Sequence, residues 1–142
     1  MTLENRTPIV YKGLIDIRFS DLDSYNHVNS KHYVDFVSTV RLNYLGAELG
    51  TPIEGVTSRG IGFFMTKSTI NYRKPIVGLQ KISASSHVSE ISTGKVLVIP
   101  FQITSSDEQK IFADGVLEFA VIDLKTNRST QTPQWVFNLF FK

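Results

Sequence analysis

The chain has 142 residues, a formal net charge of +2 and no cysteine. We therefore expect residues 1–142 to form one domain, and disulfides, thiolate metal sites and cysteine nucleophiles are excluded. The scattered Lys and Arg residues give no support to a nucleic-acid-binding surface, and the lack of a long apolar run or a signal-peptide core predicts a soluble, cytoplasmic protein without a membrane span.

The first predicted elements are a strand and a long helix. From Leu14 to Phe19, apolar residues alternate with polar ones, which is the period of a half-buried strand. From Tyr33 to Leu45, apolar residues recur at steps of three and four and cover much of the circumference, which predicts a central helix. Its candidate caps are Asn29 or Ser30 at the start and Gly46 or Gly50 at the end.

The second half of the chain is predicted to be mainly β-structure. After a loop over residues 51–62, turn residues separate four extended segments, which are Phe63–Tyr72, Gln80–Ser92, Lys95–Ser105 and Ile111–Asp123. We expect consecutive segments to pair antiparallel, with one face of the sheet buried. Pro100 predicts a bulge or an edge position, because proline cannot donate to a ladder. Thr132 and Pro133 predict the cap and first turn of a short apolar helix.

Together these elements predict an α+β fold in which a curved antiparallel sheet of about five strands wraps around one central helix. Such a sheet has exposed edge strands, and association commonly protects an edge. We therefore expect at least a homodimer with one continuous sheet and, beyond it, a tetramer.

The polar stretch from Ser20 to Tyr33 is the strongest candidate for a functional site. It holds more titratable groups than the capping of a helix requires. By residue type alone, Asp21 and Asp23 fit a turn or a cap, and we expect Asp21 to anchor the loop by accepting backbone N–H bonds. Asn29 fits a helix cap, and His27 fits a structural role as well as a chemical one. Nothing in the spacing of histidines and carboxylates predicts a metal site, and no cofactor is expected.

The same stretch resembles the signature of the hot-dog fold acyl-thioesterases, typified by 4-hydroxybenzoyl-CoA thioesterase and the Tol-Pal-associated acyl-CoA thioesterases. The motif is also similar to that of the acyl-carrier-protein thioesterases. The matching residues are Asp21, Asp23, His27-Val28-Asn29 and Tyr33, with a weaker second part in Ile61–Phe64 and Ile70–Pro75. The resemblance covers most of the chain and implies a hot-dog fold and hydrolysis of an acyl-CoA.

The resemblance also implies roles for individual residues. Asp23 falls on the catalytic carboxylate, which acts as a nucleophile or as a general base. A backbone N–H near Gly62, with that of Phe63 as a candidate, falls on the group that polarises the thioester carbonyl. His27 matches the motif histidine of the acyl-carrier-protein branch, and Tyr25 stands where that branch has a catalytic asparagine, so the neighbouring Asn26 is its candidate substitute. The remaining substrate-binding candidates are Tyr33, Phe63 and Phe64 for the acyl group and Arg59, Arg73 and Lys74 for the phosphates.

Two departures from the family pattern keep other functions open. Ser30 stands where the 4-hydroxybenzoyl type has a tyrosine, and Ser38 stands where the Tol-Pal type has a glutamate. The alternatives are therefore a thioesterase acting on acyl-acyl-carrier protein, or a noncatalytic protein that binds acyl-CoA. A hot-dog hydratase is disfavoured, because the histidine-containing segments expected on its helices are missing.

Overall fold

The computed structural model describes residues 5–142. The strands are β1 (Tyr11–Asp16), β2 (Ile61–Tyr72), β3 (Lys81–Ser86), β4 (Glu90–Ser92), β5 (Val96–Ser105), β6 (Ile111–Asp123) and β7 (Arg128–Ser129). The helices are α1 (Tyr33–Leu49), α2 (Glu54–Thr57) and α3 (Gln134–Phe140). Two short 3₁₀ turns, Phe19–Asp21 and Ser30–His32, lie between β1 and α1.

The strands form an antiparallel sheet in the order β1-β3-β5-β6-β2, with β4 paired to β5 and β7 paired to β6. The predicted α+β fold, a curved antiparallel sheet around a central helix, is confirmed. The expectation that consecutive segments pair is wrong for β2, which pairs with β6 and not with β3. The chain passes through α1 between β1 and β2, and this connection separates the two strands to opposite edges of the sheet.

Helix α1 packs against β1, β3 and β5. Its buried positions recur at the predicted steps and include Phe36, Val37, Val40 and Leu45. The helix ends at Gly50, whose φ of 87° lies in the left-handed region that glycine adopts without strain. Asn29 accepts the Lys31 N–H and so caps the 3₁₀ turn that leads into α1.

The structure departs from the predicted elements near Pro100. The edge position is wrong, because Pro100 pairs with Val116 in a strand that has neighbours on both sides. On the other side of β5, Ser86 pairs with Phe101 and Glu90 pairs with Val98. The segment from Ser86 to Glu90 therefore advances by four residues where β5 advances by three. The segment predicted as one strand is therefore split into β3 and β4, opposite the one position of β5 that has no N–H to donate.

Two further expectations needed correction. The predicted loop over residues 51–62 contains the short helix α2. Helix α3 forms where expected, but the Thr132 hydroxyl donates to Gly94 O and does not cap it. The apolar residues of α3, among them Val136 and Phe140, join the core. Within residues 5–142, no helix is long and apolar enough to cross a membrane.

Candidate functional site

Asp23 lies in a tight loop between β1 and α1. Its backbone N–H donates to His27 O (2.8 Å), and its backbone carbonyl accepts the Asn26 N–H (3.0 Å). Its side-chain Oδ1 accepts the N–H groups of Tyr25 (2.8 Å) and His27 (3.1 Å). The residue is exposed, and no hydrogen bond from residues 5–142 reaches Oδ2. One carboxylate oxygen therefore holds the loop in shape while the other is available to a ligand.

Asp21 fixes the base of this loop. Its carboxylate is fully buried and accepts the Arg18 N–H (2.8 Å) and the Arg18 guanidinium (2.8 Å). Its backbone carbonyl accepts the Asn29 N–H. Burial raises the pKa of Asp21, but the hydrogen bonds and the charge of Arg18 outweigh burial and hold the pKa below its usual value. Asp21 thus anchors the loop by accepting a backbone N–H, as expected.

The loop rests on the connection between β2 and β3. His27 forms a β-bridge with Val77, and the Asn26 carbonyl accepts the Gly78 N–H (2.8 Å). Asn26 has a φ of 63°, a left-handed conformation that asparagine tolerates better than most residues. Tyr25 is 80% exposed at the tip of the loop. The Asp23 loop is therefore attached to the end of the sheet where β2 finishes.

Gly62 and Phe63 lie at the other end of β2, where they line a cavity of about 240 Å³. The other residues of its wall are Arg41, Leu42, Leu45, Pro52, Ile53, Val56, Thr57 and Phe119. Of the predicted acyl-binding residues, Phe63 lines this cavity, whereas Tyr33 is buried in the core. Phe64 is 65% exposed, and its alternate position in β2 places it on the opposite face of the sheet from Phe63.

The register of β2 shows which backbone amide near Gly62 is unpaired. Leu124 N–H donates to Gly60 O (3.0 Å), and Gly62 lies opposite Ile122 in the same register. Because hydrogen-bonded pairs alternate along an antiparallel ladder, the Gly62 N–H points towards β6. The Phe63 N–H consequently points towards the open edge of β2. The amide available beside the glycine is that of Phe63.

Within one chain, Asp23 and Phe63 lie far apart. Phe63 is near the start of β2, and the Asp23 loop packs beyond its end. From Phe63 to Tyr72 an extended strand rises roughly 30 Å. The structure of a single chain therefore does not bring the predicted carboxylate and the predicted amide together.

The basic residues predicted to bind the phosphates lie near the two ends of β2. Arg73, just after β2, bonds Asp114 (3.0 Å), and this hydrogen bond lowers the pKa of Asp114. Lys74 is exposed next to it. Arg59 lies before the start of β2, with its guanidinium 4.9 Å from the centre of the Trp135 ring. Lys74 and Arg73 thus accompany the Asp23 loop, and Arg59 lies on the side of Phe63.

Sequence reasoning missed Arg41, which lines the cavity beside Phe63. Its guanidinium carbon lies 4.5 Å from the centre of the Phe119 ring, and Nη1 is buried without a hydrogen-bond partner among residues 5–142. A signal was present, because Arg41 stands four residues from both Val37 and Leu45, which are buried on α1. A charged residue at the spacing of an apolar helical face is unusual.

Comparisons with known proteins agree with this architecture. The model of the thioesterase-like superfamily matches residues 17–140. The long-chain acyl-CoA thioesterase FadM of Escherichia coli (strain K12) is 31% identical over 81% of this chain and 85% of its own. The structure of YbaW from Escherichia coli has a TM-score of 0.76 at 26% identity, covering 91% of this chain and 95% of that one. Slr0204, a 1,4-dihydroxy-2-naphthoyl-CoA thioesterase from Synechocystis, has a TM-score of 0.79 at 12% identity, covering 92% and 95% of the two chains.

Proposed function

Because the chain belongs to the thioesterase-like superfamily, we propose that it hydrolyses the thioester of an acyl-CoA in a site shared by two subunits. Asp23 of one subunit and the Phe63 N–H of the other act on the same carbonyl. The observation that carries this proposal is the placement of two groups that no residue of 5–142 pairs, Asp23 Oδ2 and the Phe63 N–H, near opposite ends of one edge strand.

A homodimer formed through the β2 edges would unite these two groups. Strand β2 is at the edge of the sheet, is 12 residues long, and carries the exposed apolar side chains of Phe64 and Tyr72. A long apolar edge of this kind favours pairing with another strand. Twofold symmetry makes such pairing antiparallel, so the start of β2 in one subunit lies beside the end of β2 in the other. Phe63 of the second subunit then lies near Tyr72 and the Asp23 loop, and the ladder between the two β2 strands must end before Phe63 so that its N–H stays free for the substrate.

The chemistry requires few groups. The Phe63 N–H of the second subunit would stabilise the oxyanion that develops on the thioester carbonyl. Asp23 Oδ2 would attack the carbonyl carbon to form a mixed anhydride, or would take a proton from the attacking water. In either path the C–S bond breaks and the CoA thiolate leaves without an acid catalyst. In the first path water then hydrolyses the anhydride, which releases the free acid and restores the Asp23 carboxylate. His27 lies in the same loop, where it would position Asp23 or the water.

The same arrangement gives places to both ends of the substrate. The acyl group would pass the Phe63 amide into the cavity beside it, in the second subunit. The phosphates of CoA would lie outside, where Lys74 and Arg73 flank the Asp23 loop and Arg59 follows α2. The oligomeric state beyond a dimer and the cytoplasmic location stay predictions.

Complementation between two inactive variants tests the shared site. Asp23→Asn removes the carboxylate, and we expect it to lower kcat by roughly 10²–10⁴-fold. Phe63→Pro removes the ring and the N–H, which does not pair with β6, and we expect kcat to fall by roughly 10²–10³-fold. Phe63→Leu keeps the N–H and controls for the lost ring, so its kcat should stay close to that of the wild type.

The two inactive variants are then unfolded, mixed in equal amounts and refolded together. Half of the dimers are mixed, and each contains one intact site of two, so the mixture should recover about one quarter of wild-type activity. A mixture no more active than its components would refute the shared site. A wild-type protein that elutes as a monomer while active would refute it as well.

Comparing hydrolysis rates for one acyl group on two carriers tests whether the natural substrate is an acyl-CoA or an acyl-acyl-carrier protein. We expect kcat/KM to be higher for an acyl-CoA than for the same acyl group on acyl-carrier protein. The opposite order would favour the acyl-carrier-protein alternative. Tight binding of acyl-CoA without turnover across acyl groups of different length would favour a noncatalytic binding protein.

A further inference from the structure

The cavity beside Phe63 has a cation in an otherwise largely apolar wall. Arg41 enters from α1, and the side chains of Leu42, Leu45, Ile53 and Phe119 form much of the remaining surface. Within residues 5–142, no carboxylate lies within ion-pair distance of Arg41. The guanidinium therefore faces this cavity without an anionic partner from the described part of its chain.

The hydrogen bonds of Arg41 leave part of its guanidinium without an acceptor. Nη2 donates to Ser38 Oγ at 3.4 Å, a long hydrogen bond, and the Phe119 ring lies against one face. Nη1 is buried, and no described residue accepts a hydrogen bond from it. Burial lowers the pKa of Arg41, but arginine is always charged in proteins, so the unpaired group carries a positive charge. An unpaired buried charge is costly to the fold, and a bound anion would offset that cost.

The two sides of the cavity differ in polarity. Arg41 lies on the side formed by α1, whereas Phe63 and Phe119 contribute aromatic rings from the sheet.

We propose that this cavity receives an acyl group whose far end carries a carboxylate, so that the preferred substrate is a short carboxyacyl-CoA. The inference rests on the proposed function, which places the thioester carbonyl at the Phe63 N–H and directs the acyl chain inwards. A guanidinium recognises a carboxylate by paired N–H···O bonds, whereas a methyl end would leave the charge unpaired. The volume of about 240 Å³ is below that of most small-molecule pockets and favours a short chain.

The test compares hexanedioyl-CoA with hexanoyl-CoA, which have equal numbers of acyl carbons and differ in the terminal carboxylate. We expect the wild type to prefer hexanedioyl-CoA in kcat/KM by about 10-fold to 100-fold. Arg41→Met should abolish this preference by slowing the carboxyacyl substrate alone. Arg41→Lys keeps the charge and should retain part of the preference. Lys125→Met, which removes a charge from an exposed turn, should leave both rates unchanged.

A binding measurement makes the result independent of catalysis. In the Asp23→Asn protein, calorimetry should show tighter binding of hexanedioyl-CoA than of hexanoyl-CoA, and adding Arg41→Met should remove the difference. The ligand-free Arg41→Met protein should have a Tm no lower than that of the wild type, because it no longer buries an unpaired charge.

Equal binding of the two thioesters would overturn the inference. An equal fall in kcat/KM on both thioesters in Arg41→Met would overturn it as well. Loss of the dimer in Arg41→Met would also overturn it, because the guanidinium would then serve the contact between subunits. If the wild type hydrolyses neither thioester nor any other acyl-CoA, the proposed function fails, while the calorimetry still decides whether the cavity selects a carboxylate.

Discussion

Neutralising Asp21 tests whether the buried carboxylate organises the Asp23 loop. Asp21→Asn keeps the shape of the side chain and one oxygen for the Arg18 N–H, but it removes the charge. Asp21→Ala also removes both acceptor oxygens and leaves the Arg18 N–H unpaired. We expect both variants to be less stable than the wild type, with the larger effect in Asp21→Ala.

The magnitude follows from the contacts of the carboxylate. The bond from the Arg18 N–H is short, and the acceptor is fully buried, so losing it costs about 1–3 kcal/mol. The Arg18 side chain is 69% exposed, so its ion pair adds only about 0.2–1 kcal/mol. We therefore expect Asp21→Ala to lower the free energy of unfolding by about 1–4 kcal/mol. The loss in Asp21→Asn should be only about 0.2–1 kcal/mol, because the backbone bond survives and the ion pair is what is removed.

The effect must also depend on pH. The pKa of Asp21 is lowered in the folded chain from a usual value of 3.8. The carboxylate therefore stabilises the fold above about pH 4, and this contribution is lost as the pH falls through the folded pKa. Stability differences between the wild type and Asp21→Asn should be largest at pH 7 and should shrink below pH 4.

Urea unfolding at several pH values measures this prediction. Asp35→Asn is the matched control, because both Asp21 (3.7 Å) and Asp35 (3.9 Å) lie near His32, but the side chain of Asp35 is 74% exposed. We expect its free energy of unfolding to change by less than about 0.5 kcal/mol. An Asp21→Asn protein as stable as the wild type at pH 7, or a difference that stays constant down to pH 3, would show that the carboxylate does not anchor the loop.

Two further substitutions test the local geometry. Asn26→Ala should destabilise the chain by about 1 kcal/mol, because alanine is strained at a φ of 63°, whereas Asn26→Gly should match the wild type in urea unfolding. Equal stability of the alanine and glycine variants would contradict this reasoning. Gly115→Ala would place a Cβ against Thr69 O in the neighbouring strand, well inside van der Waals contact. We expect the free energy of unfolding to fall by about 3 kcal/mol or more, which would lower the urea midpoint. An unchanged midpoint would show that β2 and β6 can separate locally at little cost.

Much of the fold was predictable because the relevant information is local. The alternation in Ile111–Asp123 and the helical spacing from Tyr33 to Leu45 depend only on which face of an element is buried. The end of α1 at Gly50 was also encoded locally, since it depends on the conformation of a single residue. The anchoring role of Asp21 followed from residue type and position, because a carboxylate at a turn accepts nearby N–H groups.

The strand order could not be predicted in the same way. Periodicity identifies a strand and its buried face, but it does not select the neighbour. The pairing of β2 with β6 depends on how α1 crosses the sheet, and the splitting of the segment Gln80–Ser92 depends on Pro100 in the adjacent strand. Both are contacts between residues distant in sequence.

The candidate site was likewise predictable from the sequence only in part. The sequence alone determined the fold class, the position of Asp23 in a polar loop and the family resemblance, because the motif is contiguous. Only the tertiary structure decided that Phe63, not Gly62, has the outward-facing amide, that this amide lies far from Asp23 in one chain, and that Arg41 faces the cavity unpaired. Ladder register, strand direction and desolvation arise only when distant segments pack together, and no local pattern encodes them.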